Sequence, residues 1–205
     1  TDWPLGFAEA VAQVLRQGGD DPAFAAEVLT LPGEATLAEE MAVVDPDALH
    51  AARNGLRNFL AEALRSDFRQ TYDALAPDGP YQPTPAAAGR RALRNLCLGY
   101  LGESGSAESR TLALQQFASA DNMTDQLAAL SILAQHDCSE RAQALAIFHE
   151  RWHDQALVVD KWLAIQAASR LPNTLAVVER LLAPPSFDLH NPNKVYALLN
   201  TFGNN

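Results

Sequence analysis

The chain has 205 residues, 48% of them hydrophobic and 20% charged, and carries a formal net charge of -10 at pH 7. That length suffices for one sizeable core or a row of smaller packed units. The acidic balance argues against a nucleic-acid or anionic-membrane partner, both of which need basic surface, and no apolar run approaches the roughly 20 residues of a membrane span.

The opening, "TDWPLGFAEA", lacks the basic region and apolar core of a signal peptide. It reads as linker, so residues 1–20 are expected to be linker plus a first helix. Thereafter almost every segment has helical period. "DALHAARNGLRNFLAEAL" aligns Leu49, Ala52, Leu56, Phe59, Leu60, Ala63 and Leu64 on one face. "RRALRNLCLGYLG" does the same with Leu93, Leu96, Cys97, Tyr100 and Leu101. Helix starts are marked by a capping residue before proline at Asp21-Pro22, Asp45-Pro46, Thr84-Pro85 and Asn191-Pro192. Breakers fall at Gly18-Gly19, Pro32-Gly33, 76–85, 102–106, Pro172-Asn173 and 183–186. No stretch alternates in the manner of a half-buried strand.

The expected fold is therefore all-α, with about eleven helices, mostly 10–18 residues long. Short loops predict antiparallel helix pairs in a HEAT-like superhelical array. Residues 1–205 read as one domain, with a possible subdivision near 76–85, where Tyr81 offers something to bury. Cys97 and Cys138 lie in apolar helical context, which predicts buried free thiols and a cytoplasmic protein. The last helix presents Val195, Leu198, Leu199 and Phe202 with nothing after it. Either this face packs back on the array or the chain stops short of further helices.

One motif suggests chemistry. His149-Glu150-Arg151-Trp152-His153 fits the zinc-peptidase pattern H-E-x-x-H. Two imidazoles one turn apart and an intervening glutamate are necessary, but a third protein ligand and an open water position are needed too. No third ligand follows at a suitable spacing. Residues 171–174 read Leu-Pro-Asn-Thr, the later Glu179 is one turn too far, and His190 has no motif around it. With Leu145, Phe148 and Trp152 forming an apolar stripe, His149 and His153 lie at its edge, where such rings commonly sit. No metal site is expected in this chain.

Several phrases carry a family resemblance: "EVLTLPGE" at 27–34, "RRALRNLCLGYL" at 90–101, "FASADNMTDQLAALS" at 117–131, "RWHDQALVVDKWLAIQA" at 151–167 and "SFDLHNPNKVYALL" at 186–199. In order and spacing they resemble the C-terminal helical domain of the bacterial alanyl aminopeptidases, the aminopeptidase N group of the M1 metallopeptidases. The resemblance implies a zinc enzyme that removes N-terminal residues from peptides. Its zinc ligands and its G-x-M-E-N motif would lie in an upstream thermolysin-like domain, and no G-x-M-E-N occurs here. This chain would be the noncatalytic helical domain that encloses the active site and limits access to small peptides. Its partners would be the upstream catalytic domain of the same polypeptide and, for the whole enzyme, peptide substrates. Further helices follow "NPN" in the family, so the chain is expected to stop short of the family's end. No catalytic residue is expected here.

The resemblance leaves candidate contacts. Asn191, Asn193 and Lys194 open a helix whose positive end could meet a peptide carboxylate; the family usually has a second basic residue where this chain has Tyr196. The same residues also read as a plain cap. Asp160 and Lys161 either tie neighbouring helices together or face the partner domain. Asp121 and Asn122 suit a helix cap ahead of Met123. The rival reading from another class is a free-standing helical-repeat scaffold that binds a protein; a small zinc hydrolase using His149 and His153 is a third.

Overall fold

A computed structural model of the chain describes Trp3 and residues 5–205. Every regular element among the described residues is helical. The helices are α1 (Leu5–Gln17), α2 (Pro22–Val28), α3 (Glu34–Glu39), α4 (Pro46–Ala63), α5 (Arg65–Ala74), α6 (Pro85–Gly102), α7 (Ala107–Ser119), α8 (Met123–Leu133), α9 (Ser139–Trp152), α10 (Ala156–Ala167) and α11 (Thr174–Leu181). The last, α12, opens at Pro192–Val195, passes through a π-helical turn at Tyr196–Asn200 and closes at Thr201–Gly203. The expected all-α class is what the structure has. Several helices are shorter than expected, with 7 residues in α2, 6 in α3 and 8 in α11.

All four proline-marked starts are helix starts, and the cap is made each time. Asp21 and Asp45 accept the backbone N–H groups of Phe24 and Ala48 at 3.0 Å, Thr84 accepts that of Ala87 at 3.3 Å, and Asn191 accepts that of Asn193 at 3.0 Å. Each satisfies a donor that the first helical turn leaves orphaned.

The chain forms two compact units. One runs up to Ser109 and takes in Ala120–Asp125; the other is Arg110–Ser119 with Gln126–Asn205. The loop at 76–85 lies within the first unit. There α6 packs against α2, α4 and α5. Its approach to α2 depends on an absent side chain: a Cβ on Gly89 would sit 2.9 Å from Ala23 Cβ and 3.0 Å from the Ala23 backbone nitrogen. On the α5 side Phe68 and Tyr100 stack with centroids 4.4 Å apart, and the Tyr100 hydroxyl donates to the Leu29 carbonyl at 3.1 Å. Buried Leu93, Cys97 and Leu98 complete this core. Burial pushes the Cys97 thiol up to about 12, which keeps it protonated and inert. Cys138 is half-buried at the N-terminus of α9, short of the full burial its apolar setting suggested.

Tyr81 corrects another expectation. It is 47% exposed, with the Arg91 guanidinium 4.7 Å from its ring centroid, so its loop is held by a cation–π contact rather than by core burial.

In the second unit α10 is apolar around most of its circumference, as a helix packed on more than one side must be. Val159, Leu163 and Ala167 form a core with Val177, Val178 and Leu181 of α11, Phe187, and Leu198 of α12. Val195, Leu199 and Phe202 pack against the same cluster. The stripe that looked bare in sequence therefore folds back onto α10 and α11. Asn205 fixes the end, donating to the Ala167 and Ser169 carbonyls at 3.2 and 2.8 Å.

Candidate functional site

The zinc-like pentapeptide ends α9. His149 is in the helix and His153 is its C-terminal capping residue. Their ring centroids are 6.4 Å apart, and their polar atoms take separate partners. His149 Nε2 lies 3.1 Å from Ser186 Oγ, with the Trp162 ring against its face at 4.5 Å. His153 Nδ1 donates to the Glu150 carbonyl at 2.8 Å, and its Nε2 lies 3.2 Å from an Asp154 carboxylate oxygen. A bound zinc needs neutral nitrogens converging on one point with a third ligand. Among the described residues no group of three or more His, Cys, Asp or Glu side chains could hold a metal ion. These residues do not fit zinc. Burial and the neighbouring His153 hold the His149 pKa below its ordinary value, consistent with a packed edge histidine.

The second candidate cluster is at the start of α12. Lys194 is only 8% exposed. Its ammonium lies 2.7 Å from Asp160 Oδ1, in an ion-pair geometry rather than an aligned hydrogen bond. It also donates to the Ala156 carbonyl at 3.2 Å. The structure thus brings Asp160 and Lys194 together and compensates the lysine charge within the fold. Asn191 caps the helix, Asn193 faces solvent, and Lys161 is exposed on α10 without joining the pair.

The third cluster is structural in geometry. Asn122 Oδ1 accepts the Asp125 N–H at 3.0 Å, the capping role read from sequence. Its amide donates to Asp121 and Asp125 at 3.1 and 2.8 Å, and Asn95 donates to Asp125 at 2.7 Å. Asp121 also accepts the Tyr81 N–H at 2.6 Å. Hydrogen bonds from Asn122 and the Tyr81 backbone hold the Asp121 carboxyl below its ordinary pKa. Beside this network lies a half-open cleft of about 260 Å³ that the sequence pattern did not reveal, with Tyr81, Arg90, Arg91, Arg94 and Asp121 on its wall. The closely spaced arginines of α6 were the available signal.

All-helical architecture, with polar clusters committed to caps and an internal ion pair, defines a helical-repeat domain. The family model described as "Domain of unknown function (DUF3458_C) ARM repeats" matches residues 2–205, and the chain belongs to that family. Aminopeptidase N of Caulobacter vibrioides is 38% identical over 198 residues, covering 97% of this chain and 23% of the relative. That of Escherichia coli is 37% identical over 201 residues, covering 97% and 23%. That of Haemophilus influenzae is 36% identical over 195 residues, covering 95% and 22%. Among solved structures, Legionella pneumophila aminopeptidase A in complex with aspartic acid matches with a TM-score of 0.85 and 30% identity, over 100% of this chain and 25% of that one. The chain is thus homologous to the C-terminal helical region of bacterial aminopeptidase N and spans about a quarter of the length of these relatives.

Proposed function

We propose that this chain is the noncatalytic C-terminal domain of a zinc-dependent aminopeptidase that removes N-terminal residues from peptides. It encloses the active site of an upstream thermolysin-like domain of the same polypeptide and limits which substrates enter. The observation that carries this reading is the whole-chain match to aminopeptidase N from three organisms, each covering less than a quarter of the relative. The geometry of His149 and His153 supports it, since His149 Nε2 and both His153 nitrogens face Ser186, Glu150 and Asp154 in place of a common metal. Zinc would then be held elsewhere in the polypeptide. We assign Asp160 and Lys194 a positioning role for the half-buried Asn191 and the exposed Asn193 and Lys161, which face the catalytic domain or the substrate. Two free cysteines suit a reducing compartment, the cytoplasm.

Enclosure is tested with the full-length polypeptide and a ladder of alanine-initiated peptides. A walled-in site predicts that kcat/KM falls steeply once the substrate outgrows the cavity. Removal of the N-terminal residue from a folded protein as fast as from a tetrapeptide would contradict it.

A further inference from the structure

The least covered surface of the chain lies on α2, α3 and the loop before α4. Residues 39–48 are all exposed, yet this run includes Met41, Val43 and Val44, at 41%, 81% and 43% exposure. On α2, Phe24 and Val28 lie one turn apart and are 65% and 50% exposed. Scattered apolar side chains on a surface need no explanation, but a concentration of large ones marks an interaction site.

Helix α3 is tied to α4 by surface polar contacts, Glu34 to His50 at 2.9 Å and the Pro32 carbonyl to Arg53 at 2.7 Å, and not by a buried face. It buries no residue, and its N-terminal Gly33 makes no side-chain cap. Glu39 and Glu40 stand at its C-terminal end, where the helix dipole favours cations and disfavours carboxylates. The charge pattern is one-sided. Between Arg16 and Arg53 there is neither lysine nor arginine, and every acidic or basic side chain from Asp20 to Asp47 is a carboxylate. Glu34 is met by His50 at 2.9 Å, and Asp21 and Asp45 cap helices, which leaves Glu39 and Glu40 as exposed carboxylates beside the apolar strip. Such a strip is half of an interface whose other half is apolar and bordered by base.

A second copy of the chain does not supply that half. Self-association through this face would bring one acidic border against another, and each copy carries a net charge of -10. The relatives are about four times as long as this chain, so their remaining length can supply a cover in the same molecule. We propose that α3 and the loop bearing Met41, Val43 and Val44, with the outer face of α2, dock against the remainder of the aminopeptidase polypeptide, on an apolar surface bordered by lysine or arginine. This rests on the reading of the chain as one domain of that enzyme.

The test uses the full-length polypeptide carrying Val43→Cys, with maleimide labelling of the peptide that contains the substituted position read by mass spectrometry. Docking predicts labelling about tenfold or more slower in the native enzyme than in urea. It also predicts zero-length carbodiimide crosslinks from Glu39 or Glu40 to a lysine elsewhere in the same molecule, lost in Glu39→Gln/Glu40→Gln. Native labelling within about twofold of the unfolded rate overturns the proposal. So does protection that appears only as the enzyme dimerises, or crosslinking only between copies. Cleavage of alanine-p-nitroanilide is measured in parallel. An active enzyme whose introduced thiol labels freely removes the docking surface and leaves the enzyme reading intact; an inactive polypeptide whose introduced thiol is protected does the reverse.

Discussion

His149 shows how one side chain can resemble a ligand in sequence and serve packing in the fold. Its ring is pressed against Trp162, and burial with the nearby His153 lowers its pKa from the ordinary 6.5. The folded state therefore prefers the neutral ring. The stability this contributes is complete above pH 6.5 and is lost as pH falls through the depressed folded value. Urea unfolding of the chain from pH 7.5 to 5 should show a loss of stability that is shallower in His149→Gln; an unchanged slope would remove the histidine from the account. Lys194 is the second residue with a strong expectation. Its side chain is 11% exposed and that of Asp160 15%, so removing one partner strands a largely buried charge. Lys194→Met should cost about 2–3 kcal/mol, below the full range for a buried pair because Asp160 keeps some water. Adding Asp160→Asn should recover most of that loss. Equal stability of the single and double variants would show that the pair is not coupled.

Among the elements, α6 is where sequence pattern and packing diverge most. Its stripe of Leu93, Leu96, Cys97, Tyr100 and Leu101 was legible from periodicity; four of the five are buried and Leu96 is half-buried. Leu98 and Gly89 were not part of that stripe, yet both are buried, because α6 is packed by α2 and α4 as well as α5. A single-face pattern cannot show that a helix has neighbours on its other sides. Helix starts were legible for the opposite reason: a cap and the proline after it act within one turn, so sequence contains the whole interaction. Tyr81 and the Lys194–Asp160 pair were misjudged or left open because their partners, Arg91 and an α10 carboxylate 34 positions upstream, come from other elements. Gly89→Ala tests the α2–α6 approach. Alanine is the better helix former by about 1 kcal/mol, but its Cβ would press on the Ala23 backbone. A net destabilisation of about 1–3 kcal/mol is expected from overpacking. A stabilised variant would mean that the two helices separate freely.

For the whole molecule, the proposed function puts bond cleavage in polypeptide outside this chain. The family match and the splayed partners of the two histidines support it from independent directions. The most direct measurement is hydrolysis of alanine-p-nitroanilide by the full-length polypeptide carrying Glu150→Gln, the substitution that would disable a general base in an H-E-x-x-H site. Cleavage outside this chain predicts kcat/KM within about twofold of the unsubstituted enzyme, because the exposed Glu150 would then serve as base to no reacting bond. A loss of about a hundredfold or more, with folding and zinc content unchanged, would place the active site in this chain and contradict the claim.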